Sequence, residues 1–152
     1  MNKVIRLILL AFILTGCAYE PILVNKNYDF FFSEINSDGD TKINDTIKEI
    51  LSEKTKFEKG KRLELYFFSK RNKQSISSNR QGDATIYKIN IIINYTLIQG
   101  DRIILKNEIS KQTTYNNIND KFELLRYEEN IINNLSEKSA DEMLMSITTI
   151  QK

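Results

Sequence analysis

Histidine is absent from this chain of 152 residues, and cysteine occurs once, at position 17. Without histidine the chain cannot form a Ser-His-Asp or Cys-His catalytic group, a zinc site built on histidine, or a haem site with a histidine ligand. A single cysteine also excludes an intramolecular disulfide, so apolar packing must hold the fold. Catalysis by carboxylates alone stays open, but no paired-acid motif is present. The sequence therefore predicts no enzyme, no metal site and no cofactor.

A long hydrophobic run is also missing. The N-terminal apolar segment, residues 7–14, has eight residues, whereas a helix that crosses the hydrocarbon core needs about 20. Lys3 and Arg6 precede this segment, and no acidic residue occurs before the cysteine. This order of a short basic region and a short apolar region is typical of a secretory signal peptide.

The apolar segment leads into a motif that resembles the lipobox of bacterial lipoproteins: Leu14, Thr15, Gly16 and Cys17. The resemblance implies that the thiol receives a diacylglycerol and that a peptidase cuts after the small Gly16. Each buried CH₂ contributes about 0.8 kcal/mol, so two or three acyl chains would anchor the protein essentially permanently. The alternatives are a chance cysteine after an ordinary signal peptide and a buried structural cysteine.

Removal of residues 1–16 would leave 136 residues, which suits one domain with a modest core. Lys3 and Arg6 leave with the signal, so 20 basic residues face 20 acidic ones and the formal charge falls from +2 to zero. Nucleic-acid binding requires a basic excess and is not predicted. We expect a signal peptide at 1–16, a lipidated tether at 17–27 and a single domain at 28–152.

The domain begins with the pattern of a strand, a helix and a second strand. Residues 28–35 are rich in aromatic side chains, and residues 36–40 predict a turn in which Asp38 or Asp40 caps a helix. The helix then shows an apolar stripe at helical spacing: Ile43, Ile47, Ile50 and Leu51. The second strand follows Gly60 and alternates Leu63, Leu65 and Phe67 with more polar residues. This order predicts that the two strands are parallel.

A long hairpin follows, and its first strand has a period of two. Its apolar face is formed by Tyr87, Ile89, Ile91, Ile93, Tyr95 and Leu97. Its polar face is formed by Lys88, Asn90, Asn94 and Thr96. Residues 99–101 predict the hairpin loop. In the next strand Ile103, Leu105 and Ile109 are expected to face inward, and Ile104 outward.

The C-terminal part predicts a long helix that begins at Asp120 and Glu123, which have the spacing of a capping box. Its apolar stripe is predicted to contain Phe122, Leu125, Ile132, Leu135, Met143, Ile147 and Ile150. The stripe is irregular at residues 136–139, where we expect a kink or a break. Together the patterns predict an α+β fold, a two-layer sandwich in which two helices cover one face of a mixed sheet of about four strands in the order β-α-β-β-β-α.

This order of elements resembles the lipopolysaccharide-assembly lipoprotein LptE family. The resemblance rests on the lipobox continued as "CAYEP", on "INDTIKEIL" at 43–51 and on "GDATIYKINIIINYTL" at 82–97. It implies a protein that plugs the large outer-membrane β-barrel LptD, assists its assembly and helps deliver lipopolysaccharide to the outer leaflet. Ala18 is not the aspartate that retains lipoproteins in the inner membrane of enterobacteria, so an outer-membrane, periplasm-facing location is expected.

The segment between the second and third predicted strands, residues 69–82, is basic and contains no acidic residue. We expect it to be a polar loop. The family resemblance implies lipopolysaccharide contacts at this end of the domain, and arginine and lysine bind phosphates through charge-assisted hydrogen bonds. The candidate lipopolysaccharide-binding residues are Lys70, Arg71, Lys73 and Arg80. The alternative is a solvated loop without a ligand.

Two other functions are compatible with the sequence. An auxiliary lipoprotein of an envelope lipid transporter of the ABC type would share the lipid anchor and a small α+β domain. An envelope hydrolase acting through carboxylates alone is the less favoured alternative, because no recognisable acid pair is present.

Overall fold

The computed structural model describes residues 28–56 and 60–151. The predicted signal peptide, the tether and Cys17 lie outside these residues. The elements are β1 (Phe30–Gly39), α1 (Thr41–Lys54), β2 (Lys61–Ser78), β3 (Ala84–Gln99), β4 (Arg102–Asn116) and α2 (Lys121–Ile150). The strands form one sheet in the order β1-β2-β3-β4, with β1 parallel to β2 and the other neighbours antiparallel. The predicted α+β fold with a four-stranded mixed sheet and two helices is confirmed.

The connection from β1 to α1 is tighter than predicted. β1 continues through residues 36–39, which pair with β2, so the turn expected at 36–40 is wrong. Gly39 ends the strand with φ +100°, and a Cβ there would lie 1.9 Å from the backbone oxygen of Ser69. The side chain of Asp40 then caps α1 by accepting a hydrogen bond from the backbone N–H of Ile43 at 3.3 Å. Glycine at this close approach allows the helix to follow the strand directly.

The core lies between the sheet and the helices. The predicted stripe of α1 is confirmed, with Ile43, Ile47 and Leu51 fully buried and Ile50 packed at its edge. These side chains pack with the alternate, inward-facing residues of the sheet: Leu63, Leu65, Phe67, Ile89, Ile91, Ile93, Tyr95 and Leu97. Full burial of one large aliphatic side chain contributes about 1.5–3 kcal/mol, so this alternation is the main source of stability.

The start of β4 differs from the prediction because the pairing register shifts. Leu97 pairs with Leu105 and Ile98 pairs with Ile103, so Ile104 is the extra residue of a β-bulge. As a result Ile104 packs against the core, whereas Ile103 is exposed. The inward assignment of Leu105 and Ile109 holds, and the assignments of Ile103 and Ile104 are wrong.

The second helix, α2, runs without a break through residues 136–139, so the expected interruption is wrong. Ser136 and Ser139 are fully buried there, and their hydroxyls donate to the carbonyl oxygens of Ile132 and Leu135, each at 2.8 Å. These bonds satisfy the buried hydroxyls within the helix. Two small polar residues therefore interrupt the apolar pattern and leave the helix intact.

The two helices run parallel to each other. Lys42 near the start of α1 forms an ion pair with Glu129, and Lys54 at its end forms one with Asp141 at 2.5 Å. Because α2 begins eight residues before Glu129, its first two turns extend past α1. Phe122, which is 80% exposed, and Leu125 lie on this overhang. Their predicted place in the core, like that of the exposed Ile150, is wrong.

No helix within the described ranges combines the length and the apolar character needed to cross a bilayer.

Candidate functional site

The basic segment proposed from the sequence forms part of a strand. β2 extends to Ser78, and its second half pairs with β3 from Lys70 opposite Ile92 to Ser78 opposite Ala84. The expected loop at 69–82 is therefore wrong, and the turn itself covers only residues 79–83. Polar residues form a regular strand here because their backbone groups pair with β3, a strand of high β propensity.

Strand alternation separates the four candidate residues. Successive side chains of a strand point to opposite faces of the sheet. Arg71 and Lys73 lie on the face that the helices cover, while Lys70 lies on the opposite face, which we call the outer sheet face. Arg80 lies in the turn between β2 and β3. The structure therefore does not bring the four residues together into one basic cluster.

Arg71 has a structural contact at the start of α1. Its guanidinium Nε lies 3.2 Å from Oδ2 of Asp40, and the other carboxylate oxygen of Asp40 caps the helix. One aspartate thus connects the helix N-terminus with β2 beyond the point where β1 ends. Asp40 is mostly buried within this contact. A ligand that recruited Nε of Arg71 would have to compete with Asp40 for it.

Lys73 belongs to a second polar group, which joins β2 to α2. Its Nζ lies 2.5 Å from Oε1 of Glu128 and 4.3 Å from the ring centroid of Tyr87. The hydroxyl of Tyr115 donates to the same Glu128 oxygen at 2.6 Å. Burial, and then the hydrogen bond to Glu128, raise the pKa of Tyr115 well above its ordinary value. Lys73 and Tyr115 therefore hold the first turns of α2 against the hairpin.

The turn that carries Arg80 is held by side-chain hydrogen bonds. Oδ1 of Asn79 accepts from the backbone N–H of Gln81 at 3.0 Å and from that of Asp83 at 2.8 Å. Gly82 supplies the positive φ angle that the turn needs. Arg80 is exposed on this turn. Within the described part of the chain, Arg80 and Lys70 are the two candidates for which no ion pair is seen.

Sequence reasoning missed two features of the sheet. Ser69, at the end of the region where β1 pairs with β2, is buried and donates a 2.7 Å hydrogen bond to the side chain of Asn44 in α1. On the outer sheet face, Tyr66 and Phe68 are exposed and line a depression of about 730 Å³. The run "LYFF" at 65–68 contains a signal for the second feature, because alternation can bury only every other residue of such a run.

No group of three or more acidic or cysteine residues in the described ranges is arranged to hold a metal ion.

The fold is similar to that of solved bacterial lipoproteins. Rare lipoprotein B from Shewanella oneidensis matches with a TM-score of 0.60 at 12% identity, over 78% of this chain and 96% of that one. Lipoprotein B from Nitrosomonas europaea matches with a TM-score of 0.59 at 10% identity, over 84% and 90% of the two chains. A minor lipoprotein from Acinetobacter baumannii matches with a TM-score of 0.55 at 9% identity, over 84% and 96%.

No protein-family model and no curated protein matches the sequence. At identities near one in ten the structural likeness concerns the fold alone. This chain therefore shares its fold with these bacterial lipoproteins.

Proposed function

We propose that this protein is an outer-membrane lipoprotein, anchored through acylated Cys17, that plugs a large β-barrel of the LptD type, assists its assembly and helps deliver lipopolysaccharide. The observation that carries the proposal is a coincidence of two independent features. The N-terminal motif predicts a lipid anchor, and the domain that follows has the fold of bacterial lipoproteins.

The surface of the domain is compatible with a polar barrel lumen. The interior of an outer-membrane barrel is polar, whereas its exterior is apolar. The outer sheet face offers amide, hydroxyl and charged side chains, among them Lys88, Asn90, Asn94 and Thr96, alongside the exposed aromatic residues of β2. The five ion pairs of the described residues all involve the helices or their caps. They connect the helices to each other and to the sheet, which lies between them and the outer face.

Recovery of the partner tests the first part of the proposal. The protein is purified with an affinity tag from detergent-solubilised outer membranes, and co-purifying proteins are identified by mass spectrometry. We expect one large β-barrel protein in stoichiometric amount. A Cys17→Ser variant serves as the control for membrane anchoring and should be released from the membrane. Recovery of an ATPase or substrate-binding complex would instead support the auxiliary transporter lipoprotein.

Depletion tests the role in assembly. Loss of the protein should reduce surface lipopolysaccharide and the amount of folded barrel in the outer membrane. Normal levels of both after depletion would contradict the proposal.

The structure refines the test for lipopolysaccharide contacts. Reversal of all four candidate charges, Lys70, Arg71, Lys73 and Arg80, is expected to weaken lipopolysaccharide binding and to leave barrel association intact. Because Arg71 and Lys73 also have structural ion pairs, the double variant Lys70→Glu/Arg80→Glu is the cleaner experiment. We expect it to lower binding of purified lipopolysaccharide without a change in thermal stability. Unchanged binding in both variants would assign these residues to solvent.

A further inference from the structure

The outer sheet face has a feature that the proposed lipoprotein role does not require. A depression of about 730 Å³ is lined by residues of all four strands. It contains Tyr66 and Phe68, which are successive outward residues of β2 and are 40% and 46% exposed. Isolated exposed apolar residues are ordinary on protein surfaces. Two neighbouring aromatic side chains within one concave region are a more specific feature. The volume of the depression is that of a small-molecule site.

Polar side chains flank both aromatic residues across the strands. One row of paired residues runs from β1 to β4 through Asn36, Tyr66, Thr96 and Lys106. The adjacent row runs through Asp38, Phe68, Asn94 and, at its end outside the depression, Glu108. An asparagine amide offers two donors and one acceptor oxygen, and a threonine hydroxyl can donate and accept. Each ring therefore has hydrogen-bonding groups on both sides, supplied by strands whose backbone is fixed in the sheet.

The charge of the depression restricts its ligand. Asp38 and Lys106 are its two lining residues that carry a charge at neutral pH, and their signs are opposite. Phosphate groups and nucleic acids are recognised by several cations together, which this site does not provide. The lining is more apolar than polar, so the ligand must present an apolar face, and the amide groups beside both rings favour a ligand that also carries hydrogen-bonding groups. The remaining chemistry is an uncharged molecule with one apolar face and many hydroxyl groups.

We propose that this depression binds an uncharged pyranose sugar. The C–H face of the sugar ring would pack on Phe68 and Tyr66, and its hydroxyls would bond to Asn36, Asn94 and Thr96. The inference goes beyond the proposed function, because it depends neither on the barrel nor on the lipid anchor. Two sources share the chemistry, an N-acetylated glycan strand and a plain hexose oligosaccharide.

The chain contains no tryptophan, so Phe68→Trp introduces a single fluorescent reporter into the site. The full lipidated chain is purified in an amine-oxide detergent, because detergents with sugar headgroups would compete. Chitotetraose and cellotetraose are then titrated separately. We expect a saturable change in tryptophan emission with at least one of them. The control is Ile103→Trp, an exposed position outside the depression, and it should show no change.

Calorimetric titration of the protein without tryptophan provides the second measurement. Phe68→Ala should weaken binding about tenfold or more, Phe68→Tyr should preserve it, and Ile103→Ala should have no effect. Binding of chitotetraose alone would identify an N-acetylated glycan, and binding of cellotetraose alone a plain hexose polymer. Absence of binding for both sugars, or binding that survives Phe68→Ala combined with Tyr66→Ala, would overturn the inference. Because the titrations use the purified protein without the barrel, and the pull-down of the unsubstituted protein tests barrel association, failure of one result is distinguishable from failure of the other.

Discussion

The two halves of the β2–β3 hairpin share one geometry and differ in the inward side chains that β2 contributes. We call residues 61–69 with 93–99 the hairpin root, and residues 70–92 the hairpin tip. The inward residues of β2 are Leu63, Leu65, Phe67 and Ser69 in the root, followed by Arg71 and Lys73 in the tip. The inward residues of β3 stay apolar in both parts. Along β2 the same alternation of inward and outward side chains therefore continues from apolar packing into ion pairs. A strand can extend beyond its apolar core where charged partners from the helices meet its inward side chains.

Removal of apolar volume from the root should have the largest effect. Leu65 is fully buried, so Leu65→Ala is expected to lower the free energy of unfolding by about 2–5 kcal/mol through lost burial and a residual cavity. The matched control is Ile76→Ala in the tip, where the side chain is exposed and the loss should stay within about 0.5 kcal/mol. Urea denaturation followed by circular dichroism measures both. Equal losses would remove the distinction between root and tip.

A substitution beside the boundary between root and tip should have the second largest effect on the free energy of unfolding. Gly39→Ala places a Cβ 1.9 Å from the backbone oxygen of Ser69, at a φ of +100°. We expect a loss of about 2 kcal/mol or more, because both the clash and the backbone conformation are unfavourable. Gly100→Ala is the control, since its φ is also positive but the space around it is open. It should cost about 1 kcal/mol. A neutral Gly39→Ala would contradict the close approach of the strands.

Loss of the α2 charge that contacts the tip should produce a smaller, local effect on stability. Glu128→Gln weakens the bonds to Lys73 and Tyr115 and should cost about 1 kcal/mol, because Lys73 is partly exposed to solvent. Hydrogen exchange should accelerate in residues 70–78 and remain unchanged in the root. Glu129→Gln removes the more exposed ion pair with Lys42 and should leave exchange at the tip unaltered. Acceleration throughout the sheet would show that the tip is not a separate unit.

The smallest predicted effect depends on pH. The raised pKa of Tyr115 means that the folded chain keeps its phenolic proton at a pH where the unfolded chain, with a pKa of about 10, loses it. The stabilisation is therefore complete below about pH 10 and is lost as the pH rises further. Tyr115→Phe should be less stable than the natural chain by about 0.5 kcal/mol at neutral pH.

The difference between these two proteins should shrink above pH 10. Urea denaturation at pH 8 and above pH 10 measures it. A constant difference across this range would exclude a contribution from the titration of Tyr115.

The predictable parts of the fold are those in which one face of an element is buried along its whole length. Period two along Tyr87–Leu97 and the spacing of Ile43, Ile47 and Leu51 identify a strand and a helix, because burial imposes those periods. The overhang of α2 could not be predicted, since the position of Phe122 in a stripe does not indicate where the neighbouring helix begins. The bulge at Ile104 could not be predicted either, because the sequence of β4 does not indicate which residue of β3 each of its residues pairs with.

The candidate site was predictable in composition but not in arrangement. Lys70, Arg71, Lys73 and Arg80 occur in a segment with the polar composition of a loop. Its structure depends on pairing with β3 and on the carboxylates of Asp40 and Glu128, which are distant in sequence. Local sequence cannot indicate such partners, so the alternation that divides the basic residues between two faces was missed.

The parallel orientation of the two helices has an electrostatic consequence. Each helix has a macrodipole with its positive end at the N-terminus, and parallel helices add their dipoles where antiparallel ones would cancel. Both N-termini point toward the hairpin tip, since Asp40 contacts Arg71 and Glu128 contacts Lys73. At the other end, Lys61 bonds to the carbonyl oxygens of Asp29 and Gln151. The two helix dipoles therefore add, with their positive ends at the hairpin tip and their negative ends at the end of the domain where Asp29 and Lys61 lie.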